Sequence, residues 1–406
     1  MQQLVSLSQP PGIDDVVFDV VTSQGALATL REEWDALFEA SAHARQMFQA
    51  HAWVSAWARH YLETDACGAS SLHVVTGRRY GRLVLVAPLV FTQNRASRCL
   101  SFAGEPVSQY GDILIADGED AVGLVDRALR AAQREVQADI LLFRRVRADS
   151  NIADFLHANA AETFNARRAP YIDLAACDST EDYAKRFSGR VRKQRRKRRR
   201  QLEAIAGPLS LVTLNPGPEA SAAAKRTVRT KAETLAANGV VDATVCDPRF
   251  EAFFSDIARR DDACVRCLIT TLKSGEEDVA TEIAIQCQDG YAGHLAVYAN
   301  DYRRYAPGFL QIDATVDALI EQRTAHYDLL PPGDAYKDDV ADASIDVRDY
   351  AIGLNWRGRL YIRLVLQTLI PSARWLRDRA PSSIARVTQS VVRRFLNRQG
   401  GEPEKN

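Results

Sequence analysis

Apolar residues occur along the chain both in short runs and at helical spacing, and these two patterns predict its first elements. Short apolar runs predict a strand at 16–22, a hairpin at 71–91 and a strand at 138–143. A period of 3.6 residues predicts helices at 25–41 and at about 119–135. Strands and helices that alternate in this way indicate a layered α/β or α+β unit.

A second series of elements begins with a basic helix predicted at 180–205, which a Gly-Pro pair ends. Three apolar strands follow within 264–300, and their short connections, SGEED and DGY, predict an antiparallel meander. Pro307 and Gly308 stand directly before another helix with apolar periodicity. This series therefore predicts a second α+β unit built around a meander.

Length and composition are those of a globular protein with two or three domains. The 406 residues are 46% hydrophobic and 26% charged, which excludes disorder throughout, a collagen repeat and a coiled-coil rod. We expect an α+β fold with mixed sheets, divided into an N-terminal domain at 1–175, a second domain at 176–352 and a basic helical tail at 353–406.

Cysteine usage and the N-terminus favour a cytoplasmic location. The seven cysteines are too sparse and irregular for a disulfide framework, and no apolar run reaches the roughly 18 residues that a membrane span needs. The N-terminal segment lacks the basic and apolar regions of a signal peptide. Scattered histidines and a single CxxC pair predict no metal site.

The charge distribution is more informative than its sum, since 52 Lys and Arg balance 52 Asp and Glu. Residues 186–200 carry ten cations and no acid, and residues 355–399 carry ten arginines against Asp378 alone. Either basic segment could face phosphate, an anionic membrane or an anionic polymer, or be a solvated helix face.

The connection between the meander and the following helix suits a pyrophosphate group. Arg303 and Arg304 supply cations, and Ala306, Pro307 and Gly308 lead into the helix. A helix N-terminus carries unpaired N–H donors and a partial positive charge, and glycine permits close approach of a phosphate.

This segment resembles the pyrophosphate-binding turn of the Gcn5-related N-acetyltransferase (GNAT) superfamily, which reads Gln/Arg-x-x-Gly-x-Gly/Ala. Arg303, Ala306 and Gly308 occupy the motif positions, so alanine replaces the middle glycine. More widely, the chain is similar to the CelD-like (BcsL-type) acetyltransferases of bacterial polysaccharide biosynthesis, including holdfast N-acetyltransferases, and more distantly to the FemAB aminoacyltransferases. That similarity rests on the basic helix and on Phe48-Gln49-x-x-x-Trp53, Tyr110-Gly111-Asp112, Ala280-Thr-Glu-Ile-Ala284, Pro307-Gly308 and the segment from Tyr327 to Lys337.

The resemblance implies two GNAT-like halves packed side by side, with acetyl-CoA as the acyl donor in the second half. It implies that Arg303, Arg304, Ala306, Pro307 and Gly308 hold the donor.

It also implies direct attack of an amine on the thioester. Such a reaction needs a base for the amine proton and an acid for the leaving thiolate. Glu282 lies where family members place a base, and Tyr336 is the candidate acid. Glu282 has a simpler interpretation as a solvent-facing strand carboxylate.

The candidate substrate residues come from both halves. Lys337 could hold a substrate carboxylate or phosphate, and Asp328 could orient a sugar amine or be structural. Tyr110 and Asp112, on a loop of the first half, could reach the acceptor.

Residues 355–399 contain basic amphipathic segments. They predict either a helix packed on the domain or an interfacial helix on the anionic inner leaflet, which would make the protein peripheral on the inner membrane. Because arginines stack on guanine and clamp phosphates, cyclic di-GMP is a further candidate ligand of this tail.

Three functional hypotheses follow. The first is an N-acetyltransferase acting on an amino sugar of an exopolysaccharide or its lipid-linked precursor. The second is a FemAB-type aminoacyltransferase whose basic helix holds aminoacyl-tRNA. The third is a degenerate acyltransferase that serves as a cyclic di-GMP- or membrane-binding adaptor.

Overall fold

A computed structural model describes residues 16–64, 68–94, 96–159 and 161–372. Within them, thirteen strands form one mixed sheet in the order β1-β2-β3-β4-β6-β13-β7-β12-β11-β10-β9-β8, with β5 paired to β3. The strands are β1 Val17–Val21, β2 Ser70–Arg79, β3 Arg82–Gln93, β4 Arg98–Phe102, β5 Leu114–Ile115, β6 Ile140–Arg147, β7 Glu162–Asp173, β8 Leu209–Leu214, β9 Arg266–Ser274, β10 Glu277–Cys287, β11 Gly290–Tyr298, β12 His326–Asp328 and β13 Ala343–Gly353.

Helices cover both faces of this sheet. The α-helices are α1 Gln24–Thr29, α2 Arg31–Ser41, α3 His51–Tyr61, α4 Ala121–Glu135, α5 Ala153–Ala158, α6 Thr180–Lys185, α7 Gly189–Ala206, α8 Pro218–Ala237, α9 Pro248–Ile257, α10 Pro307–Glu321, α11 Ala335–Asp338 and α12 Trp356–Tyr361. Two 3₁₀ helices span Ala44–Gln49 and Asn300–Tyr305, and a π-helical segment spans Ile362–Leu369. The predicted α+β fold with a mixed sheet and a helical C-terminal region is confirmed.

The strand order repeats in the two halves of the molecule. Strands β1 to β4 form an antiparallel meander whose last strand pairs in parallel with β6. Strands β8 to β11 form a second meander, and its last strand pairs in parallel with β12. Strands β7 and β13 join the two series through antiparallel pairing. The two halves are therefore built on one topology.

One apolar core extends across both halves where α3 meets α9. The ring centroids of Trp53 and Phe253 lie 4.8 Å apart in edge-to-face geometry, and both side chains are fully buried. The aromatic face of α3 therefore packs against the second half.

Two predicted helices are each divided. The helix expected at 25–41 forms α1 and α2, which meet at Leu30. The basic helix expected at 180–205 forms α6 and α7, because the Ser188 hydroxyl accepts a hydrogen bond from the Val191 N–H (3.3 Å) and begins a new helix. Its predicted end is confirmed, since Gly207 follows α7 with a left-handed φ of 97°.

The sequence pattern did not predict β13. This strand lies after the second meander in the chain but pairs with β6 and β7. Helix α12 and the π-helical segment follow it, and the remainder of the basic tail, 373–406, lies outside the described residues. Among the described helices, none combines the length and the apolar character needed to cross a membrane.

Candidate active site

The turn before α10 leaves the N-terminus of that helix without a capping side chain among the described residues. Ala306 adopts a left-handed conformation (φ 53°, ψ 60°) between the 3₁₀ helix Asn300–Tyr305 and Pro307 at the first helical position. No side chain of the described residues caps α10. A Cβ atom built on Gly308 would meet no atom within 4 Å, so free space lies in front of this helix.

The equivalent helix of the first half, α4, has by contrast a capped N-terminus. The Asp120 side chain caps α4 and accepts a hydrogen bond from the Gly123 N–H (3.2 Å). A carboxylate at this position satisfies a free donor and repels a second anion. The two halves therefore differ in the one feature that suits a pyrophosphate group.

The predicted cations lie beside the open N-terminus. Arg303 and Arg304 occupy the last turn of the 3₁₀ helix, and both are exposed. The Arg304 guanidinium lies over the Tyr305 ring, 4.7 Å from its centroid. Together with the free space at Gly308, this arrangement fits the diphosphate of an acyl-CoA molecule.

The strands beside this turn separate. Strand β11 pairs with β12 through Gly290, Tyr291 and Ala292, and no further β11–β12 pair occurs in the described structure. A β-bulge follows at His294, because Ala284 pairs with Gly293 whereas Ile283 pairs with Leu295. The free edge of β11 presents backbone groups at the place where the two strands diverge.

Glu282 lies on β10 beneath α10, buried between two tyrosines. The Tyr291 hydroxyl donates to Glu282 Oε2 (3.0 Å), and the Tyr327 hydroxyl donates to Oε1 (3.1 Å). A Cβ atom on Gly293 would lie 2.3 Å from Oε1, so glycine at this position makes room for the carboxylate. Burial raises the Glu282 pKa from 4.5 to about 7, against the opposing effect of both tyrosine donors and Lys337.

The expected alternative for Glu282, a solvent-facing carboxylate, is therefore wrong. With a pKa near 7, this side chain is partly ionised at neutral pH and can both accept and release a proton.

Helix α11 places Tyr336 and Lys337 next to these groups. The Tyr336 side chain is 47% exposed, and its ring lies 6.4 Å from that of Phe309 in the first turn of α10. Burial of part of the ring, with Asp334 and Glu282 nearby, raises the Tyr336 pKa to about 12. Lys337 donates to the carbonyl oxygens of Leu330 (2.8 Å) and Pro332 (3.1 Å), and burial lowers its pKa.

Tyr110 and Asp328 meet across the two halves, on the sheet face opposite Glu282. The Tyr110 hydroxyl lies 2.8 and 3.0 Å from the two Asp328 carboxylate oxygens, and Arg147 donates to one of them (3.1 Å). The Leu330 N–H adds a fourth contact (2.8 Å). Burial raises the pKa of both Asp328 and Tyr110.

Asp112 lies apart from the other predicted residues. It is buried and accepts hydrogen bonds from Gln46 Nε2 (2.9 Å), from its neighbour Ile113 N–H (2.8 Å) and from Ile152 N–H (3.3 Å), all in the first half. Burial raises its pKa to about 6. Its described contacts hold the first half together.

A cavity of about 480 Å³ lies on the Asp328 side, between the 3₁₀ helix Ala44–Gln49 and strands β11, β12, β7 and β13. Its charged lining comes from both halves: Arg45, Arg147, Asp149, Asp289 and Asp328. Tyr291 is among the lining residues, and its hydroxyl donates to Glu282.

Several of these residues carry no signal in the sequence that would single them out. Tyr291 and Tyr327 lie on separate strands, and only the pairing of β12 with β11 brings both to Glu282. Arg147 and Lys231 could not be distinguished in the sequence from many other cations. Lys231 donates to the Ala296 carbonyl oxygen on the free edge of β11 (3.2 Å).

Within the described residues, no group of three His, Cys, Asp or Glu side chains could hold a metal ion.

Comparison with known proteins places a family match on the half that carries this site. Residues 189–338 match the family of acetyltransferase (GNAT) domains. This part of the chain is thus a GNAT-type acyltransferase domain. No curated protein sequence matches the chain significantly.

Solved structures share the two-part fold at low sequence identity. FemX aligns with a TM-score of 0.56 at 12% identity, over 82% of this chain and 98% of FemX. A protein of unknown function from Bacteroides thetaiotaomicron aligns with a TM-score of 0.52 at 8% identity, over 82% of this chain and all of that one. At these identities the alignments show the fold alone, which is the mixed α+β architecture of this chain.

Proposed function

We propose that the protein is an N-acetyltransferase that uses acetyl-CoA and acts on an amino sugar of an exopolysaccharide or its lipid-linked precursor. One observation carries the proposal: an uncapped helix N-terminus with free space at Gly308 lies beside a buried carboxylate, Glu282, whose pKa is near 7. The first feature suits the donor diphosphate, and the second suits removal of a proton from an amine.

The chain's own groups can be assigned to each part of the transfer. The amine nitrogen attacks the thioester carbonyl carbon, and the carbon–sulfur bond breaks. Glu282 receives the proton that the amine loses, and the Tyr336 hydroxyl gives a proton to the departing thiolate. The products are an amide and a free thiol, so protons and bonds balance.

The cavity on the Asp328 side supports a polar acceptor. Its lining combines arginines with carboxylates, which suits a molecule that carries hydroxyl groups together with a phosphate or carboxylate. Lys337 interacts electrostatically with both Glu282 and Asp328. The resemblance to polysaccharide-biosynthesis acetyltransferases favours an amino sugar within this class.

The test is release of free thiol from acetyl-CoA with glucosamine or chitosan oligomers as amine probes. We expect Glu282→Gln to reduce turnover roughly a hundredfold while acetyl-CoA affinity stays unchanged, since a positioned base contributes on this order. Glu277→Gln, on an exposed position of the same strand, is the matched control and should retain full turnover. Full turnover in Glu282→Gln would remove this carboxylate from the reaction.

An RNA-borne aminoacyl donor is the second candidate. Helix α7 presents six exposed cations, Arg190, Lys193, Arg196, Lys197, Arg199 and Arg200, and such a surface binds a nucleic-acid backbone. Filter binding with bulk tRNA separates the two: the acetyl-CoA proposal predicts tRNA binding that is lost at moderate salt. Salt-resistant tRNA binding without acetyl-CoA binding would favour the second candidate.

A further inference from the structure

Helix α12 and the π-helical segment carry apolar residues on two opposite faces. The inward face packs Ile362 and Leu366 against Ile140, Leu142 and Ala351 of the sheet. Gly358 permits the closest approach, because a Cβ atom there would lie 1.9 Å from the Asp139 carbonyl oxygen. These contacts fix the orientation of the helix on β6 and β13.

The outward face is a stripe of large apolar side chains. Trp356 is 72% exposed, Leu360 48%, Leu364 50% and Leu369 52%. Spacings of four, four and five residues keep them on one side, because the segment passes from α to π geometry after Tyr361. We call these four residues the outer stripe.

Arginines that have no ion-pair partner among the described residues flank the outer stripe. Arg357, Arg359 and Arg363 are exposed, and none forms an ion pair with any residue that the structure describes. The chain beyond, residues 373–399, adds seven arginines and a single acid, Asp378. Within the described residues, the surface beside the stripe therefore carries three exposed positive charges.

We propose that the outer stripe docks on an anionic lipid surface, with Trp356, Leu360, Leu364 and Leu369 inserted at the level of the headgroups and the arginines on lipid phosphates. Exposed tryptophan and leucine between arginines is the pattern of an interfacial helix. A second copy of the chain is a poorer occupant, because symmetric pairing of stripes would bring the arginines of both copies together. This docking is independent of the proposed acyl transfer.

The test is co-sedimentation of the full chain with vesicles of phosphatidylcholine alone or mixed with phosphatidylglycerol. We expect binding to the mixed vesicles only, weakened by salt. Trp356→Ser combined with Leu360→Ser and Leu364→Ser should lower it about tenfold. Arg357→Glu combined with Arg359→Glu and Arg363→Glu should lower it roughly a hundredfold.

Two control variants test whether exposed surfaces other than the outer stripe contribute to vesicle binding. Val240→Ser with Val241→Ser removes exposed apolar side chains elsewhere, and Arg190→Glu with Lys193→Glu removes exposed cations of α7. Both should bind vesicles as the wild type does, and all variants should show the wild-type unfolding curve.

Undiminished vesicle binding by the Trp356, Leu360 and Leu364 variant would overturn the proposal. A wild-type chain that binds neither vesicle, or a stripe variant whose sole effect is to dissociate a dimer, would overturn it too. In the Trp375→Phe background, a blue shift of tryptophan emission on the mixed vesicles would support insertion of Trp356.

Discussion

Glu282 combines burial with two hydroxyl donors, and its behaviour with pH can be predicted from that environment. The folded chain holds a proton on this carboxyl up to a pKa of about 7, whereas the unfolded chain releases it near 4.5. As a base, Glu282 must be ionised, so kcat/KM for acetyl transfer should rise through pH 7 and then level off. A pH profile that is flat between 6 and 8 would contradict this role.

The same pKa shift affects stability. Between pH 4.5 and 7 the folded state binds more protons at this site than the unfolded state, so the free energy of unfolding falls as the pH rises. Glu282→Gln carries no charge there and should become more stable than the wild type by about 3 kcal/mol above pH 7, with no difference below pH 4.5. Urea unfolding at several pH values measures this difference, and Glu277→Gln should follow the wild type throughout.

Ala306 adopts the left-handed conformation that glycine reaches without steric cost. In this sequence the alanine stands where the GNAT turn has glycine, and its Cβ atom makes φ 53° unfavourable. We expect Ala306→Gly to raise the free energy of unfolding by about 1 kcal/mol.

The control for this substitution is Ala318→Gly, within the same helix at ordinary helical geometry. It should lower stability by about 1 kcal/mol, because glycine weakens a helix interior. Denaturant unfolding of both variants is the measurement. A loss of stability in Ala306→Gly equal to that in Ala318→Gly would mean that the turn does not strain the alanine.

At the scale of elements, a buried carboxylate at the end of β12 adds a side-chain link between the halves to the strand pairing. The Tyr110 hydroxyl from the first half donates to Asp328 at the end of β12, and Arg147 supplies charge from β6. Tyr110→Phe leaves that carboxylate with one donor fewer and should lower the free energy of unfolding by about 1–3 kcal/mol.

Tyr61→Phe is the matched comparison for this substitution. The Tyr61 hydroxyl is buried without a hydrogen-bond partner among the described residues, so its removal should leave stability unchanged or raise it. Denaturant unfolding of the two variants measures the difference. Equal effects of the two substitutions would show that the Tyr110–Asp328 contact does not stabilise the fold.

The capping of their N-termini distinguishes helices α4 and α10, and with them the two halves. The two helices occupy equivalent places in the repeated topology, yet Asp120 closes the N-terminus of α4 and no side chain among the described residues closes that of α10. The first half instead supplies Tyr110, Arg147 and the cavity wall at Ala44–Gln49. Under the proposed function, the repeated fold offers one donor position, and the first half shapes the acceptor side.

At the scale of the whole molecule, local signals were sufficient for much of the fold. The meander β9–β11, the end of the basic helix at Gly207 and the start of α10 at Pro307 all follow from periodicity and from glycine and proline. The turn residues 303–308 were found in the same way, because they are consecutive in the chain.

What the sequence could not provide depends on contacts between distant segments. Strand β13 pairs with strands about 200 residues earlier at β6 and 180 at β7, and no local pattern specifies such partners. For Glu282 the sequence left both a base and a solvent-facing carboxylate open, and the hydrogen bonds from Tyr291 and Tyr327 show that it is enclosed. Asp112 seemed to belong with Tyr110, yet its hydrogen bonds lie wholly within the first half.

The most direct test of the proposed donor site at the N-terminus of α10 is calorimetric titration of the full chain with acetyl-CoA. The titration compares the wild type with Gly308→Leu and Gly25→Leu. Both glycines are the second residue of a helix with no atom within 4 Å of a built Cβ, so both variants should fold. We expect saturable binding that Gly308→Leu weakens at least about tenfold and that Gly25→Leu leaves unchanged. Equal affinity in all three proteins, or no binding to the wild type, would contradict a donor site at the N-terminus of α10.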